Sequence, residues 1–334
     1  MANTQHHLSS LDDPSPMDRN LTLEVIRVTE AAALAASTQI GRGDEDAADK
    51  AAVDAMRSML ATLSVNGQVV IGEGERDEAP MLYIGEMVGN GDGPDVDLAL
   101  DPLEGTSITA RGGQNAMAVL AMADKGSFLN APDVYMQKIA VGEGVELSPA
   151  DMDKHPREII ERVARHKGTG IEDVVVCILE RPRHEKLIRE VRETGARINL
   201  IQDGDVSAVI ATADPECGID LYMGIGGAPE GVLAAAALQC IGGDMIGRLV
   251  FRNEGEKVRA MKVGITDFER VYRLNDLARP DNVIFAATGV TDGTMLPGVR
   301  RFAGGAKTWS IVMRSKSGTV RRIESRHDFT RKPV

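Results

Sequence analysis

Asp101-Pro102-Leu103-Glu104-Gly105-Thr106 places two carboxylates and a hydroxyl within one short segment, directly after the apolar-rich run Val96-Asp97-Leu98-Ala99-Leu100. The run reads as a buried strand, and the turn after it delivers all three groups to one place at the strand end. Two carboxylates that close together are costly unless a cation neutralises them. The hydroxyl of Thr106 extends a cation site toward a hydrolytic one, because it can orient a metal-bound water.

Further acidic residues gather at the ends of predicted elements. Asp49 lies in the first turn of a predicted helix, Glu73 ends a strand within Ile71-Gly72-Glu73-Gly74, and Glu230 opens an Ala-rich helix within Gly226-Gly227-Ala228-Pro229-Glu230-Gly231. Each has a plain structural role open to it: helix-terminus charge for Asp49 and Glu230, an exposed turn for Glu73, a cap before Pro102 for Asp101. Taken jointly they look like oxygen ligands for hard cations. There is no HExxH and no cysteine cluster, which disfavours zinc. Carboxylates suit Mg²⁺ or Mn²⁺, and two such ions roughly 3.5–4 Å apart suit in-line attack on phosphorus.

The glycine-rich segments match no nucleotide motif. Gly224-Ile225-Gly226-Gly227-Ala228-Pro229 puts Pro229 where GxGxxG needs its third glycine, and neither GxxxxGK[ST] nor GxSxG occurs. The glycines are better read as letting backbone approach a small anion. Arg181-Pro182-Arg183-His184 follows the apolar run Val174 to Leu179 and is either a solvated loop or a clamp for a phosphate that is held but not hydrolysed. Asp203-Gly204-Asp205 either caps a helix, bonds sugar hydroxyls or helps bind an ion. Tyr135, one of 4 tyrosines, is expected on a loop, where it is either simply packed or in contact with a ligand.

A net charge of −12 removes the basic face that a nucleic-acid partner needs, yet an acidic protein still binds an anion through metals. Cys177, Cys217 and Cys240 lack CxxC spacing and are expected as buried free thiols in a reducing compartment. No leader-like segment opens the chain, and no apolar run reaches the roughly 18 residues of a membrane span, so a cytoplasmic protein with no membrane partner is expected.

These side chains need elements to hold them. Residues 1–17 read as a loose polar tail. Helices are predicted from Leu21 to Ile40 and, after Asp44-Glu45-Asp46, to about Leu63, with a turn at Asn66-Gly67 and a strand from Gln68 to Ile71. Pro80 to Val88 reads as helical, and Ala116 to Met122 as a strand. A charged helix from about Asp151 to His166 separates the halves. Strands at 174–179, 198–201 and 219–223 then alternate with helices, and 310–323 alternates like a strand pair. The pattern is α/β, an α+β layered sandwich, with an N-terminal metal-site unit over 18–172 and a C-terminal substrate unit over 173–334.

The ordered set Gly41-Arg42-Gly43-Asp44, Val70 to Glu75, Asp77 to Tyr83, Asp101 to Thr106, Phe128 to Asp133, Asp203 to Asp205 and Gly226 to Gly231 resembles the class II fructose-1,6-bisphosphatases of the GlpX type. The similarity runs from about Met17 to the C-terminus. It implies the sugar-phosphatase fold of the lithium-sensitive, metal-dependent phosphatases. It further implies a phosphoric monoester hydrolase of carbohydrate metabolism and gluconeogenesis, using two or more Mn²⁺ or Mg²⁺ ions. Asp49 and Glu73 would hold one metal, and Asp101, Glu104 and Glu230 the second. Thr106 would help activate the water, and Asp77 is needed for activity. Glu104, Gly105, Thr106, Tyr135, Arg181, Pro182, Arg183, Asp203, Gly204, Asp205 and Gly227 would bind substrate. A homo-oligomer, dimer or tetramer, is implied. Glu45 stands where relatives carry Lys, and Arg181 where Lys is common, which bears on substrate preference. The expected reaction removes the 1-phosphate of fructose 1,6-bisphosphate. Sedoheptulose 1,7-bisphosphate is a rival substrate, and paired Arg181 and Arg183 argue against an inositol monophosphatase. A non-catalytic metal- or sugar-phosphate-binding protein is the alternative of another class.

Overall fold

The computed structural model describes residues 21–74 and 81–331. The expected tail and Asp77 lie outside these residues. In chain order the strands are β1 (Asn66–Ile71), β2 (Met87–Val88), β3 (Asp95–Glu104), β4 (Met117–Asp124), β5 (Tyr135–Val141), β6 (Val175–Leu179), β7 (Arg197–Ile201), β8 (Leu221–Gly227), β9 (Asp244–Val250), β10 (Val271–Arg273), β11 (Ile284–Gly289), β12 (Arg300–Phe302), β13 (Gly305–Arg314) and β14 (Thr319–Asp328). The helices that matter here are α1 (Leu21–Ala36), α2 (Glu45–Leu60), α3 (Thr106–Arg111), α4 (Pro156–Lys167), α5 (Glu185–Thr194), α6 (Asp205–Ala211) and α7 (Ala228–Ile241).

Two mixed sheets form. The first runs β12-β13-β11-β4-β3-β1-β2 with β14 also on β13, and the second runs β10-β9-β5-β8-β6-β7. Strand alternation sorts the side chains into layers. Along β3 and β4, Leu98, Leu100, Leu120 and Met122 face α1 and α2, while Ala99, Val119, Ala121 and Ala123 face α7. In the second sheet Met136, Ala140 and Tyr222 face that same interior, while Ile139, Val141 and Leu221 face α4 and α5. The result is an α/β/α/β/α stack.

Helix α7 lies between the sheets. Val232 to Leu238 are all buried, so no polar stripe is needed. Its alanines let both sheets approach closely. Among the described residues no helix is long and apolar enough to cross a membrane.

The sheets exchange strands across the expected cut at 172–173: β5 precedes it but pairs in the second sheet, and β11, β13 and β14 follow it but pair in the first. Four local expectations also change. Asn66-Gly67 is not a turn but the start of β1, with Gly67 opposite Val96. A Cβ on Gly67 would come 2.5 Å from Leu98 Cδ1, so close packing demands this glycine. Residues 81–86 form turns rather than helix. Leu82 is buried at φ 57 and Gly85 sits at φ 92, both incompatible with a helix. Tyr135 opens β5 opposite Gly227 rather than sitting on a loop. Cys177 and Cys240 are buried free thiols, but Cys217 is half-buried.

Candidate active site

Asp49, Glu73, Asp101, Glu104, Thr106 and Glu230 line one cavity of about 340 Å³, together with Asp133, Asp203 and Asp205. Residues far apart in the chain reach it for separate local reasons. Asp44 accepts the Ala47 N–H at 2.9 Å and starts α2 at Glu45, which puts Asp49 one turn deeper than expected. Glu73 leaves β1 with its N–H on the Leu82 carbonyl at 3.0 Å. A Cβ on neighbouring Gly72 would come 2.1 Å from that carbonyl oxygen.

The strand β3 does not stop at Asp101. Its register shifts between Asp101, opposite Val119, and Glu104, opposite Met117. Residues three apart in a regular strand face opposite sides, and one extra residue in a bulge restores the same side. Both carboxylates therefore line one cavity. Pro102 is tolerated there because a bulge leaves a residue outside the ladder. Gly105, at φ 91, turns the chain into α3 with Thr106 first. Gly227 ends β8, and Pro229 and Glu230 occupy the first turn of α7, where a carboxylate meets the positive helix end.

The carboxylates raise one another's proton affinity. Desolvation first, then Glu73 and Glu230, holds Asp101 well above the usual carboxylate range. Desolvation, then Asp205 and Asp101, does the same to Glu104. Glu73 is pushed up to about 8 by desolvation, Asp49 and Glu230. Glu230 rises to about 7 through desolvation and Asp205, with Lys138 pulling the other way. Desolvation and Asp46 raise Asp49.

Hydrogen bonding leaves part of this charge unmet. Asp101 Oδ1 accepts the Leu103 N–H at 2.9 Å and Glu104 Oε1 accepts the Val206 N–H at 2.8 Å. Glu104 Oε2 and Glu230 Oε2 are buried without a partner. Such orphaned oxygens are expensive unless something positive reaches them. Among the described residues no three His, Cys, Asp or Glu side chains already close on one point as a metal ligand set. The Glu230 carboxylate instead folds back over Gly227, where a Cβ would come 1.8 Å from its Oε2. The donor set is nevertheless all oxygen, with neither His nor Cys in the lining, and it fits a hard divalent cation.

A second hollow of about 310 Å³ opens from the first and shares Asp133, Asp203, Asp205 and Glu230 with it. Its own walls carry Tyr135, Gly227, Arg181, Arg183 and Arg252. Arg183 donates from Nε and Nη2 to the Ile225 carbonyl at 2.9 and 2.7 Å. The guanidinium groups of Arg183 and Arg252 lie 4.8 and 4.9 Å from the Tyr135 ring centroid. Buried Lys138 bonds the Asp205 carboxylate and donates to the Gly227 carbonyl at 2.8 Å. The expected substrate residues Pro182 and Gly204 line neither half. A larger hollow of about 650 Å³ nearby shares only Ser107, Arg181 and Asp203 with these two halves, so volume alone does not mark the site.

Asp133, Lys138 and Arg252 escaped the sequence reading. Asp133 stood inside the quoted Phe128 to Asp133 segment, which was a usable signal. Lys138 is a single charge in an apolar strand, and Arg252 follows β9 in a charged segment; β5–β8 and β5–β9 pairing brings them here. Glu45 is exposed and accepts from Ser107 Oγ at 2.8 Å, one residue beyond Thr106.

The family model for the bacterial fructose-1,6-bisphosphatase encoded by glpX matches residues 19–327. Fructose-1,6-bisphosphatase 1 class 2 of Escherichia coli K12 is 48% identical over 328 residues, covering 95% of this chain and 97% of that protein. Fructose-1,6-bisphosphatase class 2 of Shigella flexneri matches with the same identity and coverage. A match across nearly the whole chain, joined to a cavity that gathers the motif residues, places this protein in the glpX-encoded family of bacterial fructose-1,6-bisphosphatases.

Proposed function

We propose that this chain hydrolyses the 1-phosphate of fructose 1,6-bisphosphate, giving fructose 6-phosphate and inorganic phosphate. It is a phosphoric monoester hydrolase of the fructose-bisphosphatase family. The observation that carries the reading is a cleft with two unlike ends: a carboxylate cavity opening into a hollow walled by Arg181, Arg183 and Arg252. A bisphosphate fits such a cleft end to end, with the reacting phosphate at the acidic end and the retained one at the arginines.

Asp49 and Glu73 would hold one divalent cation, and Asp101, Glu104 and Glu230 a second, Mn²⁺ or Mg²⁺. When bound, such ions supply a nucleophilic water at neutral pH and spread the charge that builds on the phosphoryl oxygens. Thr106 Oγ1 donates to the Leu103 carbonyl at 3.1 Å. Its lone pairs are thereby left to accept a hydrogen bond from the attacking water and aim it. The water oxygen adds to phosphorus as the bond from phosphorus to the C1 oxygen breaks, and the proton the water gives up is balanced by the one the C1 oxygen takes up to leave as the sugar hydroxyl. Asp203 and Asp205 line both halves, and they would accept from sugar hydroxyls. Asp77 is proposed to take part as well.

Unpaired Cys177, Cys217 and Cys240 support a reducing, cytoplasmic setting. The family implies a dimer or tetramer, which light scattering measures. The function is tested by phosphate release from fructose 1,6-bisphosphate, sedoheptulose 1,7-bisphosphate and an inositol monophosphate, with Mn²⁺ and Mg²⁺ in turn. Turnover of fructose 1,6-bisphosphate is expected. Turnover of the monophosphate alone would overturn the reading, and stoichiometric binding without turnover would make the chain a binding protein.

A further inference from the structure

The backbone of Ile225 is gripped at both of its polar atoms. Its carbonyl takes the two Arg183 bonds, and its N–H donates to His184 Nε2 at 2.7 Å. A nitrogen that accepts carries no hydrogen, so the His184 proton resides on Nδ1 and donates to the Leu179 carbonyl at 2.7 Å. His184 is 2% exposed, and this arrangement needs the neutral ring. Desolvation, with Arg183 and Arg181 alongside, holds it below the ordinary imidazole range despite the Leu179 bond.

The position of these bonds gives them a purpose. Strands β6 and β8 pair in parallel only at Val176 with Leu221 and Cys177 with Tyr222. Beyond that point the ladder stops, while Leu179 on β6 and Ile225 on β8 continue toward the arginine hollow. The imidazole bridges them there, as a side-chain rung where the backbone rungs end. A buried backbone donor or acceptor without such a partner carries a substantial penalty, so the rung fixes the gap between the strands. Arg183, which lines the hollow, is the next residue along the chain from this rung and bonds the same peptide.

We propose that His184 is a positioning residue for the retained phosphate: by bridging Leu179 and Ile225 it fixes the carbonyl that aims the Arg183 guanidinium into the arginine hollow. This rests on the bisphosphate reading of the cleft. His184 touches neither the carboxylate cavity nor Thr106, so its removal bears on the held phosphate and not on the reacting one.

The test compares full-length wild-type enzyme with His184→Asn, His184→Phe and His184→Gln on fructose 1,6-bisphosphate and fructose 1-phosphate, with Mn²⁺ present. Asn and Phe both lose the acceptor toward Ile225, and Phe keeps the volume of the ring. Gln carries an oxygen near the Nε2 position and returns the acceptor. Asn or Phe is expected to raise KM for the bisphosphate by about tenfold, with kcat and the monophosphate efficiency held within about twofold. Gln is expected to recover most of the loss. In an Arg183→Met background the same substitutions should add nothing further, since both act through one contact. An unchanged bisphosphate KM in whichever of Asn and Phe folds overturns the proposal. So does an equal loss on both substrates, which a merely structural role would produce. A wild-type enzyme that gains nothing from the second phosphate would instead overturn the bisphosphate reading itself.

Discussion

The two ends of the cleft are built on opposite principles. At the arginine end two of the three charges are already answered: Arg183 by the Ile225 carbonyl, Arg252 by Glu256 at 2.5 Å, and both by the Tyr135 ring. That end is shaped in advance and offers its remaining donors to an incoming anion at little ordering cost. At the carboxylate end the charges oppose one another, two oxygens lack partners, and desolvation raises every proton affinity that shifts. That end is incomplete without positive charge. A single buried lysine, Lys138, stands at the junction, bonded to Asp205 and within range of Glu230. On the proposed reading, stability is sacrificed at one end for cation binding and kept at the other for recognition.

The sharpest way to break this contrast is to neutralise the acidic end. Asp101→Asn should lower kcat by on the order of 10³. The metal-stripped variant should melt no lower than the metal-stripped wild type, because one term of the mutual repulsion is gone. A variant that keeps its activity, or that loses much stability when stripped, would show that the carboxylates serve packing instead. Next, Thr106→Val should cost about 10² in kcat, and Thr106→Ser only a few-fold, since the account asks only for a hydroxyl. Equal losses for both would point to the methyl group.

At the other end, Arg252→Met should raise KM for fructose 1,6-bisphosphate roughly tenfold while leaving kcat within about twofold. A fall in kcat alone would erase the division of labour between the two ends. The smallest effect concerns pH. In the stripped protein Glu73 titrates near 8 and Glu230 near 7, against an ordinary value of 4.5 in the unfolded chain. Between these limits the native state holds more protons than the unfolded one, so stability falls as pH rises and is fullest below the unfolded value. Melting temperature should therefore drop by a few degrees from pH 5.5 to 8 without metal, and the drop should shrink when Mn²⁺ replaces the protons. A rise over that range would show that these groups are stabilised as anions already.

Much of this was legible in the sequence because the chemistry is local. The Asp101 to Thr106 segment carries its two carboxylates and its hydroxyl within a few residues of a legible strand, although the expected turn is a bulged continuation of β3. The Ala-rich run of α7 announced a short helix, and the structure buries Val232 to Leu238 between the sheets. What escaped depends on pairing between distant strands. Tyr135 followed Pro132 in what read as a loop, yet β5 is a central strand held by both β8 and β9. Gly67 after Asn66 carried a turn signal, but pairing with Val96 of β3 and Val88 of β2 makes it part of a strand. Lys138 lies on a strand that was not foreseen, so its burial against Asp205 was invisible. The apolar spacing in residues 81–88 suggested a helix, and the positive φ values of Leu82 and Gly85 could not be read from it.

The central claim is that the carboxylate cavity works only when divalent cations fill it. Metal-stripped enzyme should release no phosphate from fructose 1,6-bisphosphate and regain turnover as Mn²⁺ is titrated in, while Glu230→Gln, folded to the same extent, should stay flat through the titration. Turnover by the stripped enzyme, or a Glu230→Gln curve that overlays the wild type, would contradict it.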